Sequence, residues 1–283
     1  TANSHWTNPY SKAWIAEQTN KGAKLVVLEH GGSLVSFKHI FDIEEDMADF
    51  KCTWYLPYHP RHRQLPAQKL INRYRTSFAF SAIQPQKKFC SVIGGESLRW
   101  VSRAIFYPMA GQGLVALDMV ARLHNELDGA VRRDFRIKPY HGDIGWNTHQ
   151  RYSDLFGPEY IHAEKNIDRV FSLSKLIVCT YPETTFLEAM LSGVPTVLLY
   201  PDHINEMHPI SYALIETLRS AGIIFNDPVA AAVHINGIWS DPERWWRSGP
   251  VLHAREEFLR QAVKLDRDWL KTWTAFIRDL VRA

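Results

Sequence analysis

The stretch SKLIVCTYPETTFLEAMLSGVPTVLLY, residues 174–200, decides the fold. Lys175 to Thr180 is a short run of apolar and β-branched residues, the composition of a buried strand. Pro182 interrupts it, Glu183 to Leu191 carries helical spacing, and Gly193 supplies the residue that closes helices. Pro195 to Tyr200 is again a buried strand. Two short strands joined through a helix must run parallel, because the chain has to return along the sheet before it pairs again.

The same rhythm extends in both directions. Downstream, Pro209–Ser220 reads as a helix, Gly222–Phe225 as a strand, and the chain from Pro228 onward as helical with several tryptophans to pack. Upstream, Ile167–Ser174 is a short helix, Arg133–Lys138 a strand, Gln112–Leu127 an amphipathic helix and Phe89–Ile93 a strand followed by Gly94-Gly95. Nearer the start, a helix over Tyr10–Gln18 precedes the apolar run Ala23–Leu28 and the turn His30-Gly31-Gly32. Asp42–Asp49 is an acidic helix-like stretch, Cys52–Leu56 a strand ended by Pro57, and Tyr58–Gln68, rich in Pro, His and Arg, reads as a loop. The expected fold is α/β, with parallel sheet and helices on both faces. A boundary near residue 85 separates residues 1–84, the last part of one Rossmann-like domain, from residues 85–283, a second such domain with C-terminal helices.

Composition excludes several classes. At 283 residues with 46% apolar and 22% charged residues, the chain can bury a large core without disulfides or metal. A net charge of +3 is far from the clustered basic face of a nucleic-acid binder. It suits handling of anionic substrates or contact with an anionic membrane surface. The three cysteines, Cys52, Cys90 and Cys179, are far apart and form neither a disulfide framework nor a metal-ligand pair, which favours a reducing cytoplasm. No apolar run reaches transmembrane length. Thr1 is not an initiator methionine, and a fragment lacking upstream sequence is expected.

In open parallel sheets ligands sit beyond the carboxyl ends of the strands, so the residues following each strand are the ones to inspect. After the central strand come Tyr181, Thr184, Thr185 and, one turn into the helix, Glu188. A helix amino end offers N–H groups and partial positive charge to a phosphate, and Glu188 can accept from ribose hydroxyls. The plain alternative is that a threonine caps the helix and Glu188 is solvated. Glu29-His30-Gly31-Gly32 lets backbone approach a ligand and places His30 to carry a proton, or is simply a tight turn. Among the acidic residues, Asp49 stands at the entry to an apolar strand and is the carboxylate best placed for partial burial. Tyr140 and Asp143, after another strand, offer a wall for a base or sugar. Arg61 and Arg63 supply charge for a carboxylate or phosphate, or belong to a solvated loop. No Asp-x-Asp metal motif is present, so no metal is expected.

Three blocks, taken in order, resemble a family of O-antigen and surface-polysaccharide transferases, distantly like the retaining β-Kdo glycosyltransferases. They are Gly22–Leu25 through Glu29–Gly32 to Ala48-Asp49; Arg136–Trp146 with Arg151; and Ser174–Leu176 through Thr184–Glu188, Pro195–Val197 and Pro201–His203 to Trp245-Trp246. The resemblance implies a GT-B fold, two Rossmann-like domains facing across a cleft, the first only partly present. It implies a nucleotide-sugar donor, CMP-linked and Kdo-like, as co-substrate in place of a cofactor. The acceptor would be a glycan or lipid-linked glycan. Asp49 would be the nucleophile of a double displacement, with His30 nearby and with Tyr181, Thr184, Thr185 and Glu188 holding the nucleotide. The expected location is the cytoplasm, with peripheral contact at the inner face of the membrane left open. The chain departs from the family pattern at Ser33-Leu34-Val35, Ile43 and Trp54-Tyr55-Leu56. Two other readings therefore stand: a non-catalytic nucleotide-binding module, and a polyol-phosphate transferase or epimerase on the same fold.

Overall fold

A computed structural model describes residues 1–2, 4–31, 38–71, 87–96, 98–100, 111–201 and 207–282. Gly32, Asp202, His203 and the expected domain boundary near residue 85 lie outside the described residues.

The α/β class and the parallel sheets are present. The first sheet has three strands in the order β1 (Val26–Leu28), β2 (Phe50–Thr53), β3 (His62–Gln64), and both pairings are parallel. The second has five parallel strands, β4 (Phe89–Ile93), β5 (Phe135–Lys138), β6 (Ser174–Cys179), β7 (Thr196–Leu199) and β8 (Ile224–Phe225), in the order β5-β4-β6-β7-β8. Two parallel sheets in one chain, one of three strands and one of five, agree with the α/β class that the sequence leads one to expect.

The central strand shows why residues 174–200 decide the fold. Side chains alternate across a strand, and a sheet covered on both faces needs apolar groups at every position. Along β6, Leu176 and Val178 enter one core while Ile177 and Cys179 enter the other. One face is covered by the helices Gln112–Glu126 and Pro228–Ile238 through Val120, Leu123, Ala231 and Ile235. The other is covered by Thr184–Ser192, Tyr212–Ser220 and Gly249–Ala262 through Phe186, Leu187, Leu214, Leu218 and Phe258. That second core also takes in Trp54, Tyr55, Ala67 and Leu70 from the first sheet's side, so the two sheets are joined by continuous packing.

The end of the chain reinforces the join. Lys264 donates its N–H to the Trp54 carbonyl and accepts from the Ala67 N–H, and Leu56 donates to the Gln261 carbonyl. In the helix Trp269–Arg282, Trp273 donates to the Pro66 carbonyl and Phe276 meets the Phe50 ring edge to face. The last helix therefore packs on the first sheet.

Two segments differ from the sequence reading. The stretch Tyr58–Gln68 contains β3, whose His-Arg-Gln composition has no apolar alternation to mark it. Its strand state comes from pairing with β2, Lys51 against His62 and Thr53 against Gln64. Thr148–Phe156 is a helix with Thr148 and Tyr152 buried, although no helical pattern stands out in its polar sequence. Among the described residues no helix is long and apolar enough to cross a membrane.

Candidate active site

The carboxyl ends of both sheets converge on one region. At the end of β1, Glu29 donates its backbone N–H to the Cys52 carbonyl, and its own carbonyl accepts from the Gln68 side chain. Gln68 accepts in turn from the Trp54 indole. These bonds set the path of the chain into His30 and Gly31. Opposite, Thr180 at the end of β6 donates its hydroxyl to the Ile93 carbonyl and accepts from the Gly95 N–H, which ties β4 to β6 where both strands finish.

The helix α8 (Thr184–Ser192) starts there. Glu183 is its extended N-cap residue and makes no side-chain capping hydrogen bond itself. Thr185 is bonded to the Tyr181 hydroxyl at 2.7 Å, and Thr184 faces the first sheet. The N-cap position is Glu183, so the two threonines occupy the first two helical positions. Gly193, in the left-handed region at φ 75°, ends the helix. Tyr181 packs on Gly95, where a side chain on the glycine would place its Cβ 2.5 Å from the ring. Burial raises the Tyr181 phenol, so the group is a neutral hydrogen-bonding partner.

The join between the two sheets is close. A Cβ built on Gly31 would stand 2.4 Å from the Thr184 hydroxyl oxygen, so a larger residue there would have to displace that hydroxyl at the junction of the β1 turn and the helix amino end. Beside it, the Lys69 ammonium lies 3.4 Å from His30 Nδ1. Burial and the Lys69 charge hold the His30 imidazolium below its usual range, leaving a neutral ring at neutral pH. Lys69 is itself lowered by burial, against the fields of Glu188 and Glu29. Glu188 comes from the second sheet's helix, so His30, Lys69, Glu188 and Thr184 form one electrostatic group spanning both sheets.

The other expected residues are spread more widely. Tyr140, which is exposed and meets the His141 ring at a tilt, follows β5 on the same carboxyl edge as Gly94 and Tyr181. Asp143 is committed to its own turn, accepting from the N–H groups of Gly145 and Asn147 at 2.9 Å each, and those bonds lower its carboxyl. Asp49 stands at the opposite edge of the first sheet. Its carboxylate accepts the Leu25 N–H at 2.7 Å, just before β1 and β2 begin. Counting along the register from Leu25 to His30 at about 3.3 Å per residue puts Asp49 roughly 16 Å from His30. It lines a separate cleft of about 780 Å³ with His5, Lys12 and Lys24.

The two arginines are also away from His30. Arg61 donates to the carbonyls of Glu45, Asp46 and Ala48, closing the carboxyl end of the helix Lys38–Met47, where a cation complements the dipole. Arg63 donates to the Pro60 and His62 carbonyls and lies over the Phe50 ring. Both placements follow from β3, which sends their backbone along the sheet instead of around a loop at its end.

Lys69 and Gln68 carry no motif. Their signal is positional, in the turn four and five residues past the end of β3, and it is visible only once β3 is recognised.

A family model described as LIC12162 family transferase matches residues 1–277. The chain belongs to that family. A search of curated proteins gives no significant match. Among solved structures, the chain is similar to the wall teichoic acid polymerase TagF soaked with CDPG, at 11% identity over 93% of this chain and 69% of that one, with a TM-score of 0.47. It is similar to WaaG, a glycosyltransferase involved in lipopolysaccharide biosynthesis, at 10% identity over 92% and 80%, TM-score 0.42. It is also similar to the spinosyn rhamnosyltransferase SpnG, at 13% identity over 91% and 56%, TM-score 0.41.

Proposed function

We propose that this transferase moves a sugar from a nucleotide-activated donor, CMP-linked and Kdo-like, onto a bacterial surface-glycan or lipid-linked glycan acceptor. The donor phosphate would sit at the amino end of α8, and His30 would act as the general base. The observation that carries the reading is the meeting of the His30–Gly31 turn with Thr184 across the two sheets.

In this scheme the acceptor hydroxyl attacks the anomeric carbon. The new carbon–oxygen bond forms as the bond to the phosphate oxygen breaks, the acceptor proton passes to the neutral His30 ring, and the nucleotide leaves with its negative charge. The α8 dipole and the Lys69 ammonium oppose that charge. A helix end contributes about 0.3–1 kcal/mol, or roughly 2 at most. Micromolar binding needs about 8 kcal/mol. Base and ribose contacts must supply the rest, and Tyr140, Tyr181 and Glu188 on the same edge are the groups placed for it. A double displacement through Asp49 would require a carboxylate at the same carbon that His30 serves, and roughly 16 Å along the strands separates them. Direct displacement therefore fits the geometry better.

Calorimetric titration with CMP, UDP and GDP, followed by donor turnover in wild type and His30→Gln, tests the reading. Saturable binding of one nucleotide, with turnover lost and binding kept in His30→Gln, is expected. If nucleotide binds and no activated sugar is ever consumed, the chain is a binding module and the catalytic assignment fails.

A further inference from the structure

Outside that region, Glu45, His59 and His62 bring a carboxylate and two imidazoles together, each offering one donor atom within 4.8 Å of the others. We infer that they bind a divalent transition metal of the zinc type. Glu45 comes from the carboxyl-terminal turns of the helix Lys38–Met47, His59 from the segment between β2 and β3, and His62 from the first residue of β3. Three elements thus contribute one ligand each, and the folded sheet preorganises them.

The distances suit such an ion. Zinc bonds of about 2.0–2.2 Å in a tetrahedron hold donor atoms roughly 3.3–3.6 Å apart. A small closure of the group is enough, and His62 already lies 2.9 Å from the Glu45 carboxylate. Two imidazoles and a carboxylate favour zinc and its transition-metal neighbours over magnesium or calcium, which take mainly oxygen donors. His59 and Glu45 are half-buried, so solvent can supply a fourth ligand.

The surroundings of the group are largely closed: His62 is only 3% exposed, and its Nε2 faces the Glu45 carboxylate. His59 Nδ1 holds only a 3.3 Å bond from the Arg61 N–H, which a metal bond can replace.

The ion would act as a clamp away from the reacting atoms. The Tyr58 ring lies 4.6 Å from His62 and 5.0 Å from His208, which follows β7 in the second sheet. Fixing residues 59–62 therefore fixes a contact between the sheets. Chelator-treated full-length protein, titrated with Zn²⁺ by calorimetry and with Co²⁺ by visible absorption, tests this. One equivalent is expected to bind with an intense four-coordinate cobalt spectrum and a raised melting temperature. Affinity should fall at least tenfold in His59→Ala, which leaves the His62–Glu45 hydrogen bond in place, and in Glu45→Gln. Binding that does not saturate at one equivalent, or that is unchanged in both variants, overturns the assignment.

Discussion

Replacing Gly31 with alanine probes the contact on which the cleft depends. Gly31 is not in the left-handed region, so alanine is allowed by the backbone and the perturbation is purely steric. The new Cβ would lie 2.4 Å from the Thr184 hydroxyl but 3.8 Å from the Thr184 Cβ, an ordinary contact. The clash therefore belongs to one oxygen. Threonine is stiff at χ1, and overpacking of this kind costs about 1–3 kcal/mol, which lowers the melting temperature by about 2–4 °C per kcal/mol in a large domain. In a Thr184→Ala background the oxygen is gone and Gly31→Ala should cost little. A double-mutant cycle by urea unfolding should therefore return a coupling of about 1–2 kcal/mol. Turnover should fall as well, since a displacement of about 1 Å at a reacting centre can cost about a hundredfold. If Gly31→Ala is harmless, or equally costly in both backgrounds, the end of β1 does not rest on the helix and the proposed site is wrong.

Other expectations follow from individual groups. His30 must be neutral to accept a proton, so activity should fall as pH drops through its lowered pKa; removing the cation in Lys69→Met should raise that pKa and move the acid limb to higher pH. His162, pushed down to about 4 by burial and then by Arg136 and Lys138, stays neutral when folded while the unfolded chain takes up a proton below about 6.5. Its contribution to stability is complete above that value and shrinks by about 1.4 kcal/mol per pH unit between 6.5 and 4; His162→Gln should flatten this slope in urea titrations, and an unchanged slope would show the proton is bound elsewhere. Lys51, 1% exposed and 2.8 Å from the Glu44 carboxylate, holds a buried charge pair. Lys51→Ala should cost about 3–5 kcal/mol in equilibrium unfolding, and a loss below 1 kcal/mol would place Glu44 in contact with water.

The sequence by itself determined the second sheet. Phe89–Ile93 and the strands and helix of residues 174–200 are legible because a sheet covered on both faces demands continuous apolar strands, and glycine and proline mark where each ends. It also pointed to Thr184, Glu188 and His30, since positions after parallel strands can be counted along the chain. Only the tertiary structure decided which of these meet. β3 has a polar strand sequence and exists through its partner, so Arg61, Arg63, Gln68 and Lys69 could be sorted only after pairing. Asp49 reads as the entry to a strand in either case; that it faces the amino edge, away from His30, follows from the direction and register of the sheet. The nearness of Gly31 to Thr184 and of Glu45 to His62 joins residues on separate elements. Such proximity is fixed by packing between elements, which local periodicity does not encode.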